Sequence, residues 1–402
     1  ESAGESTFAH PRNLAAGTAK LLDPAEVAAR KLEVVFYGWG ACEPVGQRPA
    51  SQRKFLAQAG GWGLPVIERP RVARTLAELQ TAVTDLGRQR EALPFPADGA
   101  VVKLDSVSLR RAVGETEEAP RWAVAYKFAP EQATTHLRAI TIQVGRTGVL
   151  TPVAELALVE LAGSSVTRAT LHNRATIERL DLRVGDLVRL EKAGEIVPQI
   201  TGVDLSRRAA ESVPYVFPDS CPACSTAVVQ LPGEAAVRCP NPDCPAQLRR
   251  RLDHFAGKSG VAIRGLGPAT VTILVDRGLV REIADLYRLR RRDLLALPGF
   301  DLESADDLLA GIERSRQARL WRVINGLGLP RVGTASAKKL AERFTSLDQL
   351  ARATYGDLIP VVGPATARAL FAHLAETRNQ AALTALAAAM PTTTITAGSS
   401  SP

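Results

Sequence analysis

The sequence predicts a multidomain α+β chain in four parts: a mixed segment of short strands and helices, a small β-barrel, a four-cysteine zinc finger and an α-helical array. Three observations predict this. From about Ala133 to Ser206 short β runs alternate with turns, as in Ile140–Val144, Val149–Leu156, Leu187–Leu190 and Ile196–Val203, which suits a small barrel. Four cysteines follow as Cys221-x2-Cys224-x14-Cys239-x4-Cys244. Residues 255–385 then read as helical throughout, with a degenerate repeat inside them.

The totals bound the function. At 402 residues the chain has room for about three domains, and a hydrophobic share of 46% supports real cores. No apolar run is long enough to predict a membrane span. The first residues are polar and lack the apolar run by which a signal peptide would be read, and a start at Glu1 rather than Met fits a fragment or a processed chain. A net charge of +8 favours a polyanionic partner, although many soluble proteins are basic. Five cysteines, four of them clustered, argue for a metal site in a reducing compartment rather than a disulfide framework.

Taken in order, Pro24–Lys31 reads as a helix with Asp23 as cap and Pro24 at its first position. Leu32–Tyr37 reads as a strand, and Cys42 as an idle loop thiol. Residues 76–91 read as a helix with an apolar stripe of Leu76, Leu79, Val83 and Leu86. Ala100–Leu104 and Trp122–Phe128 read as buried strands, carrying Lys103 and Lys127 respectively. A buried ammonium needs an anion. With Asp98 just upstream, the set suits a phosphate-bearing ligand and a metal ion. The alternative is that both lysines reach from strand ends to water. Residues 105–120, with Glu115, Glu117 and Glu118, read as a mobile loop.

The four cysteines form two knuckles joined by a short hairpin, giving four thiolates for one Zn²⁺ with no open position, hence a structural metal. Arg249, Arg250 and Arg251 follow at once, either as DNA contacts or as a solvated face. In the helical region the repeat is apolar, Gly, three residues, then a small residue ahead of a helix. It occurs at Leu266-Gly267, Val332-Gly333 and Val362-Gly363, with a degenerate copy at Phe300-Asp301, in steps of 34, 32 and 30 residues. A tight Gly hairpin lets backbone N–H groups at a helix start approach a phosphate, gripping DNA without reading its sequence. The alternative is a plain helical packing domain. The final PTTTITAGSSSP reads as a disordered tail.

DGAVVK, followed 24 residues after its lysine by the lysine of AYKF, resembles the last two nucleotidyltransferase motifs of NAD-dependent DNA ligases. The resemblance runs on through nearly the whole chain. It implies the C-terminal part of an adenylation domain at 1–131, an OB-fold domain at 132–210, a zinc finger at 215–250, a helix-hairpin-helix DNA-binding domain at 251–388, and a tail at 389–402. Phe8, Pro11, Arg12, Asn13, Ala15, Ala16 and Gly17 match the family's F-x-x-P-R-N-x-A-A-G segment, which lies against nucleotide and nicked strand. The resemblance makes Arg12 a phosphate contact, while Lys20 stands where the family has a second arginine, keeping charge but losing the two-pronged grip. Arg90 matches an arginine near the active site, or else is a surface residue at a helix end. Lys103 and Lys127 correspond to lysines that touch the adenylate, and Asp98 to a carboxylate that either helps hold Mg²⁺ (or Mn²⁺) or orients a lysine.

In the barrel, VGRTG, ATLHN, RVGDLVRL and AGEIVPQI resemble family landmarks. Arg146 is the first candidate for a DNA phosphate contact there, with His172 and Asn173 behind it. Gly267, Gly333 and Gly363 are the candidates in the array. Asp301 and Glu303 stand where the family has Gly and often Lys, so that hairpin is expected to be structural, with Arg288–Arg292 restoring the local charge. The implied activity is sealing of nicks in duplex DNA: enzyme adenylylation from NAD, AMP transfer to the 5′-phosphate, then attack by the 3′-hydroxyl. The family's K-x-D-G nucleophile motif does not occur in the chain. Its domain for the nicotinamide half and its C-terminal BRCT domain have no counterpart either, so the expectation is a partial enzyme retaining DNA binding and at most the last step. Expected partners are NAD, Zn²⁺, Mg²⁺ and nicked duplex DNA, for a monomer in the bacterial cytoplasm, associated with the nucleoid. The competing reading is a non-catalytic DNA-binding module, which would not need Lys103 and Lys127.

Overall fold

The computed structural model describes residues 11–390 apart from positions 22, 41–47, 68, 69, 94, 96, 117, 118 and 194–196, and the side chains of Arg12, Asn13, Glu91 and Ala193 lie outside what it describes. Phe8, Cys42, Glu117, Glu118 and the tail from 391 are therefore outside the described residues. The chain divides into two compact units. One is Glu1–Ala139 with Ala154–Thr170 and Arg183–Val213; the other is Ile140–Val153 with Leu171–Leu182 and Pro214–Pro402.

The first unit opens with α1 (Pro11–Thr18) and α2 (Pro24–Ala29), the latter started by Pro24 and capped by Asp23, whose carboxylate accepts from Ala25 N at 2.8 Å. Helices α3 (Gln52–Gly61) and α4 (Leu76–Gln89) are capped by Ser51 and Thr75. Phe55, Leu56 and Ala59 of α3 are buried against Trp39 and Val66. The strand expected at Leu32–Tyr37 is not formed: Phe36 makes one parallel bridge to Val66, and no longer ladder is available to it among the described residues. In α4 the stripe is half-buried at Leu79, Val83 and Leu86. Leu76, 71% exposed, falls outside it, being the first helical residue.

Strand β1 (Gly99–Lys103), helix α5 (Val107–Val113) and strand β2 (Ala123–Lys127) complete this segment. β1 and β2 pair antiparallel, with Gly99 opposite Lys127 and Lys103 opposite Ala123. The strands expected to be buried form an open two-stranded ribbon instead, with Val101 61% and Val124 64% exposed. Two strands alone do not provide the second layer that burial requires. Residues 105–120 are not simply a loop: Ser106 caps α5, and Glu115 bridges Pro120.

The barrel expected from the alternating runs is present. Strands β3 (Gln132–Val144), β4 (Leu150–Glu160), β5 (Ser165–Thr170), β6 (Leu187–Ala193) and β7 (Val197–Val203) close in the order β3-β4-β5-β7-β6, and helix α6 (Arg174–Leu180) follows β5. Leu150, Pro152, Ala154 and Leu156 of β4 are buried at the period of two that a one-sided strand demands. Buried Asp186 is satisfied by two bonds from Arg208, both 2.9 Å, and by Arg183 N at 2.9 Å, as a buried carboxylate must be.

A short hairpin, β8 (Val229–Gln230) with β9 (Val237–Arg238), joins the cysteine knuckles. Among the described residues ten α-helices follow: α7 (Pro245–Ala256), α8 (Pro268–Asp276), α9 (Arg291–Leu295), α10 (Leu302–Ser315), α11 (Leu320–Leu327), α12 (Thr334–Arg343), α13 (Leu347–Ala351), α14 (Tyr355–Val362), α15 (Pro364–Ala375) and α16 (Thr377–Ala389). Their apolar faces share one core running from Leu248 to Met390. Leu248, Leu252, Phe255 and Ala256 lay one stripe of α7 into it. Phe255 is fully buried, so Phe255→Ala is expected to destabilise the helical unit by about 3–5 kcal/mol, read from urea unfolding followed by helical circular dichroism.

Candidate functional site

The β1–β2 register decides how the two lysines stand. Lys103 lies four positions from Gly99, and Gly99 faces Lys127 across the ribbon. Side chains four apart in a strand share a face, as do cross-strand partners. Both lysines therefore belong to one face, at opposite ends and about 13 Å apart along the strand direction. Between them lie only Val101, Ala123, Ala125 and Gly99, where a Cβ would come within 2.3 Å of Tyr126 O. The result is a shallow apolar floor with a cation at each end.

Lys127 is ion-paired with Asp98. Lys103 is held elsewhere: its Nζ donates to Tyr37 O at 3.2 Å and sits 4.7 Å from the Tyr37 ring centre. Burial, reinforced by the Arg110 cation, lowers the Lys103 pKa from its ordinary value. The structure thus pairs Asp98 with Lys127 and keeps Lys103 apart from both. Arg90 closes the end of α4, and its Nη1 donates to Ala129 O at 3.4 Å, just beyond β2. Arg12 lies on α1 with its side chain outside the described atoms, and Lys20 is exposed after that helix.

Sequence reasoning missed the other cation. Lys103 lines a cavity of about 770 Å³ with Tyr37, Trp39, Gln52, Arg110 and Trp122. The Arg110 guanidinium is 4.3 Å from the Trp122 ring and 5.8 Å from Trp39, and it donates to Leu104 O at 2.6 Å and Gln52 Oε1 at 2.9 Å. Its stretch reads as a polar loop, and only the flanking aromatics could have signalled the stacked arginine.

The four cysteine sulfurs lie within 4.8 Å of one another. Cys224 and Cys239 are 3.5 Å apart and Cys221 and Cys244 3.8 Å apart, too far for disulfides of about 2.05 Å. A Zn²⁺ with four Zn–S bonds of about 2.3 Å sets sulfur–sulfur edges of about 3.8 Å, so the site fits the metal. Burial pushes the Cys239 thiol up to about 12. At Cys224 burial also pushes upward, but hydrogen bonds from the Thr226 hydroxyl and backbone, Asn241 and Cys239 outweigh it and bring the thiol to about 6. Buried Gln247 of α7 donates from Nε2 to Cys239 O at 3.0 Å and Asn241 O at 2.9 Å.

Arg146 sits on the β3–β4 turn, exposed, with its guanidinium 3.2 Å from where a Cβ on Gly328 would stand. His172 has φ +58°, sparsely populated for a non-glycine residue, and Asn173 caps α6 through Thr176 N at 3.0 Å. Both line a cavity of about 340 Å³ with Val149, Leu150 and Glu234. The basic triplet after the knuckle is engaged internally: Arg249 with Asp276, Arg250 with Asp253 at 3.9 Å, and Arg251 with Pro242 O at 2.8 Å.

The four hairpin copies are unequal. Gly267, Gly333 and Gly363 precede α8, α12 and α15 with no side chain capping the helix amides. At α10 the Asp301 carboxylate accepts from Ser304 N at 2.8 Å and Ser304 Oγ at 2.6 Å. Donation by the Ser304 hydroxyl, then by its N–H, lowers the Asp301 pKa. Three copies place a left-handed residue two positions before the cap: Gly265 at φ +87°, Gly299 at +83° and Arg331 at +59°. In the fourth Gly363 itself takes φ +77°. Three of the four arginines expected to restore charge near Asp301 are themselves matched: Arg288 to Asp285 at 3.0 Å, Arg291 to Asp306 at 2.6 and 3.0 Å, and Arg292 to Asp293 at 3.7 Å.

Comparison with known proteins adds the following. Residues 1–131 match the NAD-dependent DNA ligase adenylation domain, 134–212 the OB-fold domain of those ligases and 220–246 their C4 zinc finger. Residues 261–314 match a SAM-like helix-hairpin-helix tandem and 322–383 a helix-hairpin-helix motif. The chain is 55% identical over 388 residues to DNA ligase 1 of Opitutus terrae, covering 95% of this chain and 58% of that protein. It is 47% identical over 388 residues to DNA ligase 2 of the same organism, covering 96% and 55%. With the DNA ligase of Syntrophobacter fumaroxidans it shares 43% over 391 residues, covering 97% and 58%. The chain thus spans rather more than half the length of these relatives.

The sulfur geometry sets an expected zinc content of one ion per chain, measured by atomic absorption. Cys244→Ser, which removes a ligand at the α7 cap, should abolish it. Zinc should also be lost as pH falls, because every ligand must be a thiolate; retention below about pH 4 would contradict a four-thiolate site.

Proposed function

Because this chain belongs to the NAD-dependent DNA ligase family, we propose that its protein seals single-strand nicks in duplex DNA during replication and repair. The reaction joins a 5′-phosphate to a 3′-hydroxyl through enzyme-AMP and DNA-adenylate intermediates. NAD would supply the AMP, and Mg²⁺, when bound, would neutralise phosphate charge. The observation that carries the reading is the single ribbon face shared by Lys103 and Lys127.

The role of each residue follows from charge. When the 3′-hydroxyl oxygen attacks the adenylated 5′-phosphorus, a P–O bond forms, the bond to AMP breaks, AMP leaves with the electron pair, and the hydroxyl proton is released to water. Negative charge spreads over the phosphoryl oxygens, where fixed cations stabilise it. Lys103 and Lys127 are the proposed cations, with Arg90 and Arg12 as further phosphate contacts. Asp98 orients Lys127, with which it is paired. One carboxylate so engaged is not a magnesium cage, which agrees with an ion carried chiefly by phosphates and water.

DNA is proposed to be held by contacts to its phosphate backbone. Arg146 and the open helix starts at Gly267, Gly333 and Gly363 are the proposed phosphate contacts, with zinc in a structural role. At α10 the Asp301 carboxylate occupies the amides a phosphate would use, so that hairpin is proposed to stay off the DNA. The working form is proposed to be a monomer in the bacterial cytoplasm.

Two experiments test this. A pre-adenylylated nicked duplex with Mg²⁺ and no NAD should be sealed by this chain, and Lys103→Ala should slow sealing about a hundredfold or more. Salt-sensitive duplex binding without any sealing would favour the binding-module reading instead. Separately, Asp301→Gly should tighten duplex binding and steepen its salt dependence by about one unit of log–log slope, with Asp301→Asn, which keeps a capping oxygen, changing it less. An unchanged slope in Asp301→Gly would rule out an anion site blocked by Asp301.

A further inference from the structure

The β3–β4 turn is fastened to the zinc knuckle through backbone atoms. Gly148 takes φ +82° in this turn, and its carbonyl accepts from Cys239 N at 2.9 Å. Next to it Val149 forms an antiparallel bridge with Arg238. A Cβ on Gly148 would stand 2.4 Å from Cys239 O and 3.0 Å from Gln247 Nε2. No side chain fits between the turn and this metal ligand, and the conformation itself disfavours one. Gln247 holds the same Cys239 carbonyl from α7, at 3.0 Å. Further along α7, His254 Nε2 lies 2.9 Å from Asn325 O. Its ring and the Arg146 guanidinium both come within 3.4 Å of where a Cβ on Gly328 would be.

We infer that Gly148 is a positioning residue through which the zinc knuckle sets the direction of Arg146. A hairpin tip left to itself is solvated and mobile. Here the tip is pinned at its backbone by Cys239, and the Arg146 side chain ends against the helical array. Zinc binding supplies folding free energy to the knuckle. The Cys239 N–H donated to Gly148 O and the Val149–Arg238 bridge pass that order to the turn. Zinc, though it touches neither nucleotide nor DNA, then acts on the DNA grip by aiming one arginine. This rests on the proposed contact between Arg146 and a DNA phosphate.

The test uses the full chain. Amide hydrogen exchange over 144–150 is compared in the zinc-loaded protein, the chelated protein and Gly148→Ala, with zinc content measured in parallel. Chelation and Gly148→Ala should each speed exchange in this stretch about tenfold or more, the variant keeping its zinc. Unchanged exchange after chelation, or in a zinc-loaded Gly148→Ala, overturns the inference. Should that variant fail to fold, the chelated wild type decides. Binding to nicked duplex then separates the two layers. If Gly148 acts through Arg146, Gly148→Ala and Arg146→Ala each weaken binding and lower the salt slope by about one, and the double variant is no weaker than Arg146→Ala. Additive losses overturn the positioning role. Faster exchange with DNA binding unchanged in both single variants upholds the coupling and removes Arg146 from the DNA contacts.

Discussion

Four sulfur atoms within 4.8 Å of one another are the constraint on which much of the second unit depends. Burial pushes the Cys239 and Cys244 thiols upward, and neighbouring sulfurs push the same way. Four thiolates in that space would repel one another without a cation, whereas a divalent ion turns the repulsion into four bonds. The knuckle then organises its surroundings. Cys244 is the cap from which α7 starts, Asp243 beside it pairs with Arg378 of α16, and Cys239 carries the barrel turn. Elements distant in sequence are tied to a loop that has little apolar core of its own.

The net positive charge is distributed differently from what its total suggests. Arg249, Arg288, Arg291 and Arg378 all face carboxylates of the same unit. Exposed pairs of this kind contribute little to stability, but they remove those arginines from the set of open cations. Other arginines and lysines of the array remain outside these pairs, as do the backbone amides at the uncapped helix starts. The array has glycine where three helix starts are left uncapped and, at Asp301, a carboxylate that caps the fourth.

The barrel, the knuckle and the helical array were legible because their signals are local: period-two burial, ligand spacing, and Gly or Gly-Pro ahead of a helix. What depends on partners from elsewhere was not. Leu32–Tyr37 has strand composition yet finds only Val66 to bridge. Ala100–Leu104 and Trp122–Phe128 have the composition of buried strands, yet nothing described lies over Val101 or Val124. That removes the burial argument for Lys127, which is largely exposed while Lys103 is half-buried, and leaves the shared ribbon face as the stronger reason to group the two. Pairing of Asp98 with Lys127 rather than Lys103 could not be read from spacing. Neither could Arg110 between two tryptophans, nor the difference between Arg331 at φ +59° and the glycines at the same place in two other hairpins.

The apolar core is spread unevenly. In the stretch ahead of the barrel the buried hydrophobic cluster among the described residues is Phe55, Leu56 and Ala59, while the helical core continues from Leu248 to Met390. Cooperativity follows shared buried surface, and regions with little of it open at low free energy. Heating should therefore release the segment that carries Lys103 and Lys127 well before the helices that share the core from Leu248 to Met390, and a single melting temperature would describe neither event. On the function proposed above, nick joining would then be lost at a lower temperature than DNA binding.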